Sequence, residues 1–255
     1  MTKTFKTALM ATITALAASS TASAGIFDFD PAEGGVYVSG FVGVSAPSDA
    51  DFEGVQNPAA GVPGAAGADA AIEADFDSDV YFGGAIGAHL PFKYWTYFQP
   101  RLELEISYFD NDVDSGNFNG GNQVFQGDQS VTLYLLNNAS DIIWEENQRI
   151  VPYFGGGIGI ADYSTNIEYF PNNGVATAPT FAVRNSDSGF ATVSKLGATF
   201  KATDRFDLYV EGRYLKTYGI DAERRFIAGG ADGFSADVDD DPDGVTLTVG
   251  TRINF

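Results

Sequence analysis

Leu102-Glu103-Leu104-Glu105-Ile106-Ser107-Tyr108 is the stretch that decides the fold. Successive side chains of an extended strand point to opposite faces, so Leu102, Leu104, Ile106 and Tyr108 share one face and Glu103, Glu105 and Ser107 the other. Phe206-Asp207-Leu208-Tyr209-Val210-Glu211-Gly212-Arg213-Tyr214 repeats the device, with Asp207, Tyr209, Glu211 and Arg213 on the polar face. At the end of the chain Val245, Leu247, Val249, Ile253 and Phe255 alternate with Thr246, Thr248, Arg252 and Asn254. A helix would place its apolar residues three and four apart, and none of these stretches does so.

The same alternation, followed outward, predicts eight strands near 35–46, 78–90, 97–109, 130–143, 150–162, 189–201, 205–218 and 244–255. The fourth changes phase among Leu133, Leu135, Leu136, Asn137 and Asn138, which predicts a bulge there. The gaps alternate too. Those at 47–77, 110–129, 163–188 and 219–243 are long, and those around 93–96, 145–149 and 202–204 are short. The four long gaps hold 21 acidic residues and 3 basic ones, so they read as acidic loops. Within 47–77, Pro58-Ala59-Ala60-Gly61-Val62-Pro63-Gly64 is of low complexity.

Composition removes several function classes. The chain has 255 residues, 34 acidic and 14 basic, for a net charge of −20. A nucleic-acid partner is not expected, because phosphate binding needs a basic face. With no cysteine there is no disulfide framework, thiolate metal site or cysteine nucleophile, and a single histidine removes a multi-histidine metal centre. At the N-terminus, Lys3 and Lys6 precede the apolar, small-residue run 7–18, and Ala22-Ser23-Ala24 forms an A-x-A cleavage site. This reads as a signal peptide over 1–24 and a mature domain over 25–255.

Alternation alone leaves open which face is inside. A soluble sandwich turns its apolar faces inward, whereas a membrane barrel turns them to lipid and encloses the polar ones. Export, an even strand number, long–short gaps and a terminal Phe255 together favour the second. Lipid also requires that the strands close on themselves, since an unpaired edge there has no water to bond.

Three segments carry a family resemblance. Pro152-Tyr153-Phe154-Gly155-Gly156-Gly157-Ile158-Gly159 resembles a P-Y-x-G-x-G-x-G opening of strand five. Leu135-Leu136-Asn137-Asn138-Ala139-Ser140-Asp141-Ile142 is similar to an L-x-N-x-x-x-D-[FI] fourth strand, without two usual aromatics. Thr248-Val249-Gly250-Thr251-Arg252-Ile253-Asn254-Phe255 resembles a C-terminal insertion signal. Together they resemble the small eight-stranded outer-membrane β-barrel family, the OmpA-type transmembrane domain and its opacity-protein relatives. The resemblance covers 25–255, with nothing after Phe255 to match a periplasmic peptidoglycan-binding domain. It implies an all-β, closed, eight-stranded antiparallel up-and-down transmembrane barrel in the outer membrane of a Gram-negative bacterium. It further implies outer-membrane lipid as surroundings, the barrel-assembly machinery as a biogenesis partner reading Phe255, and a monomer.

An eight-stranded barrel is just wide enough for side chains to fill. The polar strand faces predict a lumen charge network of Arg101, Glu103, Glu105, Lys195, Asp207, Glu211, Arg213 and Arg252, four of each sign. Buried charges are costly unless paired, so a neutralised plug is expected, with a narrow porin for small solutes as the alternative. Gly83, Gly87, Gly155, Gly157 and Gly159 fall on lumen positions, where they leave room for aromatic rings. A lipid-modifying enzyme would need a histidine with a Ser or Asp partner at the outer rim. His89 lies instead at the short-turn end of its strand, and no enzyme activity is expected.

Asp239-x-Asp241-x-Asp243-Gly244 matches the first half of a calcium loop, but its twelfth position is Gly250 rather than Glu. It is a candidate for weak Ca²⁺ or Mg²⁺ binding; no other cofactor is expected. A role in envelope integrity or adhesion follows, with no extracellular partner identified. For strands six and seven, a three-residue loop at 202–204 would oppose Lys201 to Arg205, Gly197 to Tyr209 and Lys195 to Glu211, with Glu105 approaching across the lumen.

Overall fold

The computed structural model describes residues 27–29, 34–58, 66–118, 121–122, 124–170, 178–227 and 235–255. The signal peptide expected over 1–24 and residues 59–64 of the low-complexity run lie outside the described residues. Among the described residues there is no helix, and the strands pair antiparallel throughout.

The long strands are β1 (Gly35–Pro47), β2 (Asp79–His89), β3 (Phe98–Phe118), β4 (Val124–Ile142), β5 (Ile150–Phe170), β6 (Phe181–Lys201), β7 (Phe206–Tyr218) and β8 (Asp243–Asn254). Each pairs with the next along the chain. β8 returns to β1, from Gly244↔Pro47 to Asn254↔Tyr37, so the hydrogen bonds run round a ring. The period-two pattern becomes burial. Tyr37, Tyr81, Arg101, Glu103, Glu105, Lys195, Glu211 and Arg213 are buried, while Val36, Val42, Ile86, Ile106, Leu196, Leu208 and Leu247 are exposed. The ring is therefore polar inside and apolar outside across this lower part.

β4 keeps one phase, with Val131, Leu133, Leu135, Asn137 and Ala139 buried in turn and continuous pairing on both sides. The expected bulge is absent there, because Leu136 and Asn138 simply point outward. The four long gaps also differ from expectation. β3, β4, β5 and β6 run well into 110–129 and 163–188, and the other two gaps hold short strands Ala50–Gln56, Ile72–Phe76, Ile220–Phe226 and Ser235–Asp240. These continue the ring upward, Ile72–Phe76 on β3, Ile220–Phe226 on β6, and Ser235–Asp240 against Ala50–Gln56. Inward side chains of these strands and of the upper parts of β4, β5 and β6, namely Phe52, Ile72, Phe125, Ile167, Tyr169, Val183 and Val238, form an apolar cluster. Most acids of these strands, Asp51, Glu53, Glu73, Asp237 and Asp239 among them, stand on the outward face, which is why a dense acidic composition coexists with strand structure; Asp240 shares the inward face of Ala236 and Val238.

At the opposite end, Phe27–Phe29 pairs with Phe92–Tyr94, so part of the short gap near 93–96 is itself a strand. Trp95 and Thr96 then take positive φ to reverse the chain. The β6–β7 connection is wider than three residues. The amides of Ala202 and Thr203 both donate to the Phe206 carbonyl, and Thr203 Oγ1 accepts from the Phe206 amide at 3.0 Å. Lys201 therefore opposes Asp207, and the register sits two residues from the expected one: Thr199↔Tyr209, Gly197↔Glu211, Lys195↔Arg213. A shift of two preserves every inward and outward face, so alternation is blind to it.

The rings meet different glycines as a result. A Cβ at Gly197 would stand 2.5 Å from Tyr153 Cζ, and one at Gly250 would stand 2.4 Å from Tyr209 Cζ. Replacing Gly197 by Val should force the Tyr153 ring off the wall and cost ~1–3 kcal/mol, as overpacking does. Urea unfolding of the refolded protein checks this; an unchanged midpoint would mean that the ring does not lie there.

Candidate functional site

The polar face of β3 delivers Arg101, Glu103 and Glu105 to the interior, and the other strands bring their partners. Glu103 is the hub. Tyr37 OH donates to its Oε1 at 2.7 Å, Lys195 Nζ to its Oε2 at 2.7 Å, and Arg101 Nε to its Oε1 at 3.1 Å. Arg252 Nη2 stands 3.9 Å away. Arg101, fully buried, also donates through Nη1 to Asp141 and lies 4.1 Å over the Tyr153 ring. A second group joins Arg213 to Glu105 and Glu211, with Tyr81 OH 2.8 Å from Arg213 Nη1. Asn137 Nδ2 donates to Glu105 Oε2 at 2.8 Å. Each buried charge thus meets an opposite charge together with neutral donors or aromatic faces, the condition under which an interior ion pair is tolerated.

All eight residues read from the sequence meet in this interior, though not in every expected pairing. Lys195 Nζ is 3.9 Å from Glu211 Oε2 as a diagonal neighbour, but its closer partner is Glu103, and Glu105 is engaged by Arg213 instead. Asp141 is the member that sequence reading passed over. It lies in the L-x-N-x-x-x-D segment, and carrying the phase of Leu133, Leu135 and Asn137 forward points it inward. Asp207 is buried 3.9 Å from Arg252 and accepts from Asn254 Nδ2 at 2.9 Å. His89 Nδ1 lies 3.4 Å from Asp141 Oδ2 at the short-turn end, beneath the Tyr37 ring.

Above the network, Phe41, Tyr81, Phe109, Val131, Leu133, Leu135 and Tyr163 form an apolar layer. Below it a cavity of about 1000 Å³ opens at the short-turn mouth, with Asp141, Thr199, Asp207 and Arg252 at its inner end and Tyr97 and Trp144 at its rim. Phe255 is 77% exposed beside this mouth, its amide donating to the Val36 carbonyl.

The candidate calcium loop is not assembled. Asp239 sits in Ser235–Asp240 opposite Asp221, Asp241 accepts from the Gly219 amide, and Asp243 accepts from Tyr214 OH, so the three point to separate partners. Among the described residues the carboxylates that do converge, within 4.8 Å, are Asp49, Glu73 and Asp75, outward on the upper ring. Burial beside Asp51 and Asp241 pushes the Asp240 carboxyl up to about 6.

No protein-family model matches this chain, and no curated protein matches it in sequence. Among solved structures, the outer membrane protein OprG from Pseudomonas aeruginosa is 16% identical, with a TM-score of 0.49 over 87% of this chain and 96% of that one. The outer membrane protease OmpT from Escherichia coli is 12% identical, with a TM-score of 0.51 over 89% and 98%. Ail, the attachment invasion locus protein of Yersinia pestis, is 11% identical, with a TM-score of 0.33 over 86% and 98%. The fold of this chain is that of the outer-membrane β-barrel proteins.

Two outcomes follow from the geometry. Glu103→Gln leaves Lys195 and Arg101 buried without their shared carboxylate and should cost ~3–5 kcal/mol, whereas Glu103→Gln with Lys195→Met should recover part of it. A double-mutant cycle by urea unfolding measures both. For Asp240, a raised folded pKa makes protonation favour the folded ring. Its contribution is full below the ordinary carboxyl value of 3.8 and is lost as pH rises through about 6. Amides of Ser235–Asp240 should therefore exchange more slowly at pH 5 than at pH 7 after correction for intrinsic rates, and Asp240→Asn should flatten the difference.

Proposed function

We propose that this chain is a closed, eight-stranded transmembrane barrel of the bacterial outer membrane whose lumen is a neutralised plug. Its role is structural or interactional at the cell surface, in envelope integrity or adhesion, and is not catalytic. The observation that carries this reading is the inversion of polarity: charged residues fill the ring while Val42, Ile106, Leu196, Leu208 and Leu247 lie exposed around it. A water-soluble protein would lose stability from such a face, and hydrocarbon removes the loss. Aromatic residues bound the apolar band, with Phe82 and Tyr108, and Phe190 and Tyr218, paired above it and Trp95 and Phe206 exposed below. Such girdles lie at the two membrane interfaces.

In this orientation the short turns and both ends of the domain face the periplasm, and the acidic upper ring faces outward. The partners are outer-membrane lipid and, during biogenesis, the barrel-assembly machinery engaging β8 through Phe255; the protein acts as a monomer without a required cofactor. The apolar layer of Phe41, Leu133, Leu135 and Tyr163 above the paired charges supports a plug over a narrow porin.

Planar-bilayer recording should give no discrete conductance steps; regular steps of fixed size would establish the porin instead. Val210→Arg, nearer the middle of the apolar band, should cost ~2–4 kcal/mol in lipid vesicles, as a charge near the bilayer midplane does. If that variant unfolds at the wild-type midpoint, the outward face is not in hydrocarbon.

A further inference from the structure

The cavity at the short-turn mouth ends on polar groups that the charge network leaves unused. Arg252 is 2% exposed, yet its Nε has no hydrogen-bond partner within the protein. Its two carboxylate neighbours, Glu103 and Asp207, each stand at 3.9 Å, and the Tyr37 and Tyr209 rings hold it at 4.6 and 5.5 Å. Thr199, 3% exposed, points into the same end, and its Oγ1 has no partner. Asn254 donates its Nδ2 to Asp207, while its Oδ1 has no partner. Asp207 opposes Arg252 on the neighbouring strand, and Thr199 lies one strand further on.

The inner end therefore displays, on three adjacent strands, a fixed donor in Arg252, fixed acceptors in Asp207 and Asn254, and a hydroxyl in Thr199 that does both. A buried polar group without a partner carries a desolvation cost that a matching ligand removes. A ligand anion would have to sit beside Asp207 and Asp141, and an ammonium beside Arg252, so single charges of either sign meet repulsion. A hydroxyl donates to a carboxylate and accepts from a guanidinium at once, and carries no charge. The rim adds the exposed faces of Tyr97 and Trp144, flat apolar surfaces against which a ring of C–H groups can stack. The volume of about 1000 Å³ is at the upper end of the ~300–1,000 Å³ of small-molecule sites.

From these features we infer that the periplasm-facing vestibule is a binding site for a neutral saccharide. The sugar hydroxyls lie between Arg252, Asp207 and Thr199, and a pyranose face lies on Trp144. The inference adds a ligand to the plugged barrel and does not depend on whether the lumen conducts, because the site is entered and left by one mouth.

The test uses the full mature chain refolded in a detergent without a sugar headgroup, with chitotriose as probe. The chain has two tryptophans, so Trp95→Phe leaves Trp144 as the only indole reporter at the rim. Chitotriose should change its fluorescence saturably, with a Kd of about 1 mM. Thr199→Val, which leaves every ion pair in place, and Arg252→Gln should each weaken binding at least threefold without altering the emission of the free protein. Thr199→Val keeps the test decisive if Arg252→Gln does not refold. A linear, unsaturated response to chitotriose overturns the inference. So does saturable binding that neither variant weakens, and so does saturation by propionate without saturation by the sugar.

Discussion

A strand without a neighbour leaves a row of N–H and C=O groups to its surroundings, and here β8 returns to β1 so that the row is taken up. Much of the rest depends on that ring of hydrogen-bonded strands. The interior of so small a ring is filled largely by side chains. Every second residue of every strand must then fit there, whatever its chemistry. Glycine under Tyr153 and Tyr209 is one consequence, since the rings need the wall itself to lie against. Pairing of the charges on the inward faces of β3, β6, β7 and β8 is another.

Glu103 shows how the interior meets that demand. A carboxylate removed from water needs more than one cation, and it receives Lys195, Arg101 and the Tyr37 hydroxyl from three different strands. Neutral groups complete the shell around Glu105 in the same way, through Asn137 and Ser107. Such a network stabilises less than its number of contacts suggests, because each ion has given up its hydration. Its stronger effect is on uniqueness. A slipped register would leave several buried charges unpaired at once, so competing arrangements are penalised more than the native one is favoured.

The molecule changes character along its axis. Most interior charges lie in the lower part, while aliphatic and aromatic side chains with Arg224 among them fill the upper, and the exterior runs the other way, from apolar to acidic. The upper ring is thus built like a water-soluble β-structure, with Ile167 and Tyr169 inward and Asn166 and Glu168 outward, stacked on a segment built for hydrocarbon. The same strands, β3 to β6, pass through both regimes without a break in pairing.

Period-two alternation was enough, by itself, to place the strands, sort their faces and collect Arg101, Glu103, Glu105, Lys195, Asp207, Glu211, Arg213 and Arg252 on one side, because pleating makes face a strictly local property. The acidic segments misled for a local reason as well: composition suggested loops, although Ala236 and Val238 already alternate with Asp237 and Asp239. Registers, partners and cavities were beyond that reach. A two-residue shift between β6 and β7 leaves every face unchanged, and only the Thr203 turn, closing on Phe206, decides that Lys195 sits opposite Arg213 and bonds Glu103 across the ring. The calcium-like run failed to converge because its members belong to a strand end and a turn with other partners. The unpartnered Arg252 Nε and Thr199 Oγ1 could be seen only once three strands stood side by side, since an unused hydrogen bond is a property of neighbours and not of a residue.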